Sequence, residues 1–163
     1  MNATVYNVAL SIHAGGTSVV SSSPAYSSGY GAFNAHDGVV TYCNDMVNCP
    51  GPYTNKMFKS MSARTTTDVW LQFTFESTKT IRSVYLSLDE SETNQHIGLE
   101  VRIGDLLETS SLCYKVMSAS YSRWISCDPV IRGKYMWIIM PIIDKSLNII
   151  EVMAYEYYFV QRS

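Results

Sequence analysis

The run NAHDGVVTYCNDMVNC, residues 34–49, sets an aspartate beside a glycine, amide side chains and two cysteines in one polar stretch. Such a set could form a turn, a metal cage, a redox pair or a catalytic pocket. Taken alone, Asp37-Gly38 reads as a turn closed by an Asx hydrogen bond, and Glu151 as a carboxylate on a strand edge. Catalysis finds little support. His13, His36 and His96 fall in separate segments, and the chain has no G-x-S-x-G elbow, no H-E-x-x-H pair and no phosphate-cradling glycine loop. His36 adjoins Asp37, but neighbours on extended backbone point apart. Asp89 and Glu92 share one loop tip and lack the facing geometry that a glycosidase pair requires. We therefore read the chain as a binding domain and not an enzyme.

The elements that must position these residues are strands. VWLQFTF (69–75), IRSVYLSL (81–88) and GLEVRIG (98–104) alternate apolar and polar residues with period two, as half-buried strands do. KYMWIIMPI (134–142) and NIIEVMAYEYYFV (148–160) are rich in β-branched and aromatic residues, which suits the middle of a sandwich. Polar segments separate them: 21–33, 37–67 and DESETNQH (89–96). The expected class is all-β, with two sheets face to face and long loops gathered at one end. Trp70, Trp124 and Trp137 lie in or beside apolar strands and are read as core or hairpin residues, not as sugar-stacking platforms. No internal repeat or linker divides the chain, so 1–163 is expected to be one domain.

Composition bounds the partners. Hydrophobic residues make up 47% of the 163 and charged residues 16%, which argues against disorder. A net charge of -2 gives no footprint for a phosphate backbone, so nucleic acid is not an expected partner. The longest apolar run, 136–143, contains Pro141 and is far short of the roughly 20 residues of a membrane span. The first residues, MNATVYNVAL, lack the basic and apolar regions of an intact signal peptide, so the protein is expected either to be intracellular or to begin at a mature or engineered end. Cys43 lies close to Cys49, and Cys113 to Cys127; this paired spacing favours two disulfides over a zinc site, with free core thiols as the alternative. Disulfides would imply export. Asn2-Ala3-Thr4 is a glycosylation pattern too short to carry weight.

NVAL (7–10), SSSPAYSSGYGAFNAHDG (21–38), VWLQFTF, IRSVYLSL, GLEVRIG, the Cys113 to Cys127 span, GKYMWIIMP (133–141) and IIEVMAYE (149–156) follow one another in an order that resembles F-type lectins, the fucolectins of the wider discoidin or galactose-binding-like group. The resemblance spans nearly the whole chain. It implies an eight-stranded antiparallel jelly-roll sandwich with a structural calcium beside its ligand-binding loops. Calcium takes roughly six to eight hard oxygen ligands. By the resemblance, the side chains of Asp37 and Glu151 hold it, with backbone oxygens of Asn34, Val39, Asn48 and Ile150. The Asn48 position commonly carries a serine, for whose hydroxyl an amide oxygen could stand in.

The resemblance also pairs Cys113 with Cys127. Cys49 matches a cysteine whose usual partner precedes the calcium glutamate, a position held here by Ile150, so Cys43 becomes its expected partner. The fucose triad is not kept. The family histidine falls at Gly51, one arginine near Leu88 and the other at Gln95. In place of arginines the loop offers Asp89, Glu92, Asn94, Gln95 and His96, beside Tyr53, Asn55 and Lys56, and its acidic members can only accept hydrogen bonds. These eight residues are the expected ligand surface, with His96 on an exposed tip, so that replacing Gln95 and His96 by alanine would weaken binding and leave stability unchanged. The expected function is calcium-stabilised carbohydrate recognition, at the cell surface or outside the cell, without the usual fucose triad. The alternative is a protein-binding or structural module with an adhesion or assembly role. A glycan or a protein could therefore occupy the loop end, and homo-oligomers stay open.

Overall fold

A computed structural model describes residues 7–9, 16–26, 28–37, 57–61, 68–89, 94–119 and 122–156. Seven strands occur among them: β1 (Val19–Ser22), β2 (Phe58–Lys59), β3 (Val69–Leu88), β4 (Glu100–Gly104), β5 (Ser111–Lys115), β6 (Arg123–Met140) and β7 (Asn148–Glu156). All pairings are antiparallel. Two strands are much longer than the sequence suggests. VWLQFTF and IRSVYLSL join into the single 20-residue β3, and β6 begins at Arg123, well before the apolar run at Lys134. The physical reason lies in the junction ESTKT (76–80). It is polar enough to read as a loop, but it holds no Gly or Pro to break a ladder.

Because β3 and β6 run together through a bend, each serves both layers. The first part of β3 pairs with β1 and with the end of β6, which in turn pairs with β4, and β4 with β5. The second part of β3 pairs with the start of β6 and with β7, whose start carries the two-residue β2. Among the described residues one layer therefore has five strand segments and the other three, the eight of the expected jelly roll, with the short β2 added beside β7. The inward residues of β3 show how the bend is made. Val69, Leu71, Phe73, Phe75 and Ile81 are buried, and then Val84, Leu86 and Leu88. The switch from odd to even positions coincides with the register shift between Ile81 and Ser83, where β3 carries one residue more than β7, since one extra residue turns every later side chain to the opposite face.

Two devices lock the layers. The Cys113–Cys127 disulfide, closing a separation of 14 residues, ties β5 to the early part of β6; a ring of that size contributes about 3 kcal/mol by restricting the unfolded chain. The pairing implied by the family resemblance is therefore present. Cys43 and Cys49 lie outside the described residues. At the bend, a Cβ on Gly133 would lie 2.5 Å from the backbone nitrogen of Gly104. Only glycine allows the two backbones to touch there.

Candidate ligand and metal site at the loop end

The 3-10 turn Ala32–His36 leads into Asp37 and packs against β1, β2 and β7. It is anchored from below. His36 is buried; its Nδ1 lies 3.1 Å from Ser18 Oγ and 3.2 Å from the Ala9 carbonyl. Its ring sits edge-on between Phe33, 5.7 Å away, and the core ring of Phe73, 5.8 Å away. These contacts give His36 a structural role. Asn34 ties the turn to β2 by donating from Nδ2 to the carbonyls of Gly29 (2.9 Å) and Met57 (3.2 Å).

Opposite this turn, β7 is irregular where it matters. Leu88 pairs with Ile149 and Ser87 with Glu151, so Ile150 is an extra residue with no register partner in either neighbouring strand. A bulge of this kind turns the backbone out of the ladder and re-aims the side chain that follows. Glu151 is 0% exposed. Its negative charge reaches Tyr155, whose hydroxyl is pushed up in pKa first by burial and then by Glu151. The fold thus sets the strand bearing Ile150 and Glu151 against the turn bearing Asn34 and Asp37. Val39 and Asn48, the other expected oxygen donors, lie outside the described residues. Among those described, no three His, Cys, Asp or Glu side chains gather around one point; the expected shell draws on only two carboxylates and otherwise on backbone and amide oxygens.

The expected ligand surface needs correction. His96 is not on an exposed tip: it is 0% exposed, and its Nε2 donates to the Asp89 carbonyl at 3.0 Å. Asp89 is itself only 5% exposed, and its N–H reaches the Asn148 carbonyl. Both belong to a buried polar network with Ser60, Ser146 and Asn148, in which Ser60 exchanges hydrogen bonds with Leu147. Composition alone suggested solvent. What decides is that the segment turns inward at Gly98, whose φ of 94° suits glycine, and closes onto the backbone of β3. Asn94 remains exposed and Gln95 half-buried, with the Gln95 Oε1 buried and accepting no hydrogen bond. Glu92, Tyr53, Asn55 and Lys56 lie outside the described residues, as does Gly51.

Lys145 was missed. Its ammonium donates to the carbonyls of Asn94 (2.9 Å) and Ile97 (3.0 Å), and so holds the turn that presents Gln95; a lysine three residues before the last strand was the available signal. Trp124 also departs from expectation. It is 61% exposed and stands between Tyr85 (5.1 Å) and Tyr155 (5.4 Å) on the outer face of β3, β6 and β7.

His96→Ala is expected to cost about 2–3 kcal/mol, because it opens a cavity and strips the Asp89 carbonyl of its donor. Asn94→Ala should stay within about 0.5 kcal/mol. Urea unfolding of both variants checks the inversion; equal, small effects would mean that His96 is a surface residue after all.

No family model matches this sequence, and a search of curated proteins finds no match. Solved structures do match. The chain is similar to the serum f-lectin (fucolectin) of the striped bass, Morone saxatilis, with a TM-score of 0.73 and 23% identity over 94% of this chain. It spans about half, 48%, of that protein's length. A fucose binding module of Streptococcus pneumoniae is similar at a TM-score of 0.71 and 12% identity, covering 96% of this chain and 99% of the module. The lectin domain of lectinolysin, solved with Lewis b antigen, is similar at 0.68 and 15%, covering 94% and 98%. The fold is therefore the one shared by this fucolectin and these fucose-binding and lectin modules.

Proposed function

We propose that this jelly roll is a calcium-stabilised carbohydrate-recognition domain that reads its glycan at the loop end without the usual fucose triad. The proteins that share its fold include a fucose binding module and a lectin domain solved with Lewis b antigen. They are binding modules and not catalytic domains, which agrees with the absence of a catalytic motif from the sequence. The observation that carries the reading is Glu151, a carboxylate with no exposure, set beside a backbone bulge and on the strand that the Asp37 turn packs against. Two carboxylates with nearby carbonyl oxygens are the hard-oxygen chemistry that calcium selects. When bound, the ion would join the turn to the last strand through Asp37, Glu151 and the backbone oxygens of Asn34 and Ile150, with Val39 and Asn48 completing the set.

In this reading the ligand meets Asn94 and Gln95. The exposed Asn94 offers its side-chain amide to a sugar hydroxyl, and Lys145 keeps the turn in place. The Cys113–Cys127 disulfide fits an oxidising, extracellular setting.

Free fucose is expected to bind weakly or not at all. Each lost hydrogen bond to a charged group costs about 1.5–3 kcal/mol, and leucine, glutamine and glycine stand where two arginines and a histidine would be. Calorimetry with free fucose should show no saturation at about 1 mM, near 4 kcal/mol of binding. Saturation well below that concentration would show a fucose pocket built from other residues.

A further inference from the structure

A second feature lies away from the loop end, on the outer face of the five-segment layer. Trp70 and Gln72 of β3 and Tyr135 and Trp137 of β6 stand side by side there, with Gln72 directly opposite Trp137. The segment after β4 rises beside them as a wall carrying Asp105, Leu106, Leu107 and Glu108, and together these residues line an open cleft of about 410 Å³. That volume lies within the roughly 300–1,000 Å³ of small-molecule sites. Leu106 is 62% exposed, an apolar side chain held at the rim.

The cleft is ordered from its floor upward. Trp137 is buried and donates from Nε1 to Gln72 Oε1 at 2.8 Å. That bond consumes the amide oxygen, so the amide group has N–H donors left to offer. The Tyr135 ring lies 5.6 Å from that of Trp137, tilted by 35°. Asp105 Oδ1 is fixed by the Lys134 backbone N–H at 2.9 Å, while the Lys134 ammonium turns away to the Glu76 carbonyl at 2.6 Å. The nearby Arg102 and Lys115 are both engaged by Glu100. Burial works to raise the Glu100 pKa, but hydrogen bonds and charge from Arg102 and Lys115 outweigh it and hold the carboxyl below its ordinary range. Among the described residues, then, two carboxylates and no basic side chain line the cleft.

Aromatic faces suit a ring with one apolar face, and the amide and carboxylates suit hydroxyls and amines around its edge. The charge balance disfavours acidic sugars, phosphates and sulfates. A cation gains both from the carboxylates and from the aromatic faces. We propose that this cleft is a second saccharide site, separate from the loop end, and that it takes sugars bearing free amino groups, such as β-linked glucosamine oligomers. It does not depend on the calcium reading, since no expected calcium ligand lines it.

The test is calorimetric titration of the intact domain with a fully deacetylated glucosamine hexamer and, in parallel, with its N-acetylated counterpart, which has the same rings without the charge. The deacetylated hexamer should bind about tenfold more tightly or better, and Glu108→Gln should remove most of that advantage. Trp70→Ala should weaken both sugars, with circular dichroism confirming the fold. Glu108 is exposed, so its replacement keeps the test available should the tryptophan variant fail to fold. Equal affinity for the two hexamers, no heat with either at about 1 mM, or binding undisturbed by Glu108→Gln would each overturn the proposal.

Discussion

Phe73→Ala is expected to lower the stability of the domain by about 3–5 kcal/mol and to weaken its response to calcium at the same time. Phe73 is fully buried on β3, pairs with Val20 of β1 and packs against the ring of His36. The first effect is the usual cost of removing a large core ring. The second follows from position: His36 ends the 3-10 turn that carries Asn34 and leads into Asp37, so a cavity beneath it frees the turn to shift. Urea unfolding with and without calcium measures both effects. A loss under about 1 kcal/mol, or a calcium response equal to that of the unaltered domain, would show that the turn is held by something other than this ring cluster.

Calcium itself should produce the other large effect. An ion that binds only the folded state, present at about a thousand times its Kd, adds about 4 kcal/mol of stability. For a domain of this size that corresponds to roughly 8–16 °C in Tm. Glu151→Gln keeps the shape and hydrogen-bonding reach of the side chain but removes its charge. It should therefore abolish most of the calcium-dependent shift, and chelation should lower Tm only in the unaltered protein. A Tm that does not move across a calcium titration, or that moves equally in the Glu151→Gln variant, contradicts the assignment of Asp37 and Glu151.

How much of this was legible in the sequence differs by feature. The strands announced themselves, because Val69, Leu71, Phe73 and Phe75 alternate with polar residues and nothing in that run competes with a strand reading. The bends were hidden. A bulge between Ile81 and Ser83, or at Ile150, adds one residue and leaves no compositional mark, although the one at Ile150 shapes the proposed metal site. His96 and Trp124 show the same limit from opposite sides. A histidine in a run of acids and amides looks solvated, yet it is carried inward to the Asp89 carbonyl. A tryptophan beside an isoleucine looks like core, yet its parity on β6 sends it outward while Ile125 goes in. Parity depends on register, and register is settled by pairing partners far away in the chain. The cleft beside Trp137 is of this kind: Gln72 and Trp137 are 65 residues apart, and only the β3–β6 ladder makes them one surface.

The central claim, that the loop end recognises glycans on a calcium-braced scaffold, meets its most direct test on a glycan array probed with the intact domain in calcium and again in chelator. The account predicts retention of a defined set of glycans in calcium, none requiring terminal fucose, with the signal lost or sharply reduced in chelator and in the Glu151→Gln variant. An array that stays blank in both conditions, while the domain still captures a protein partner, would contradict it.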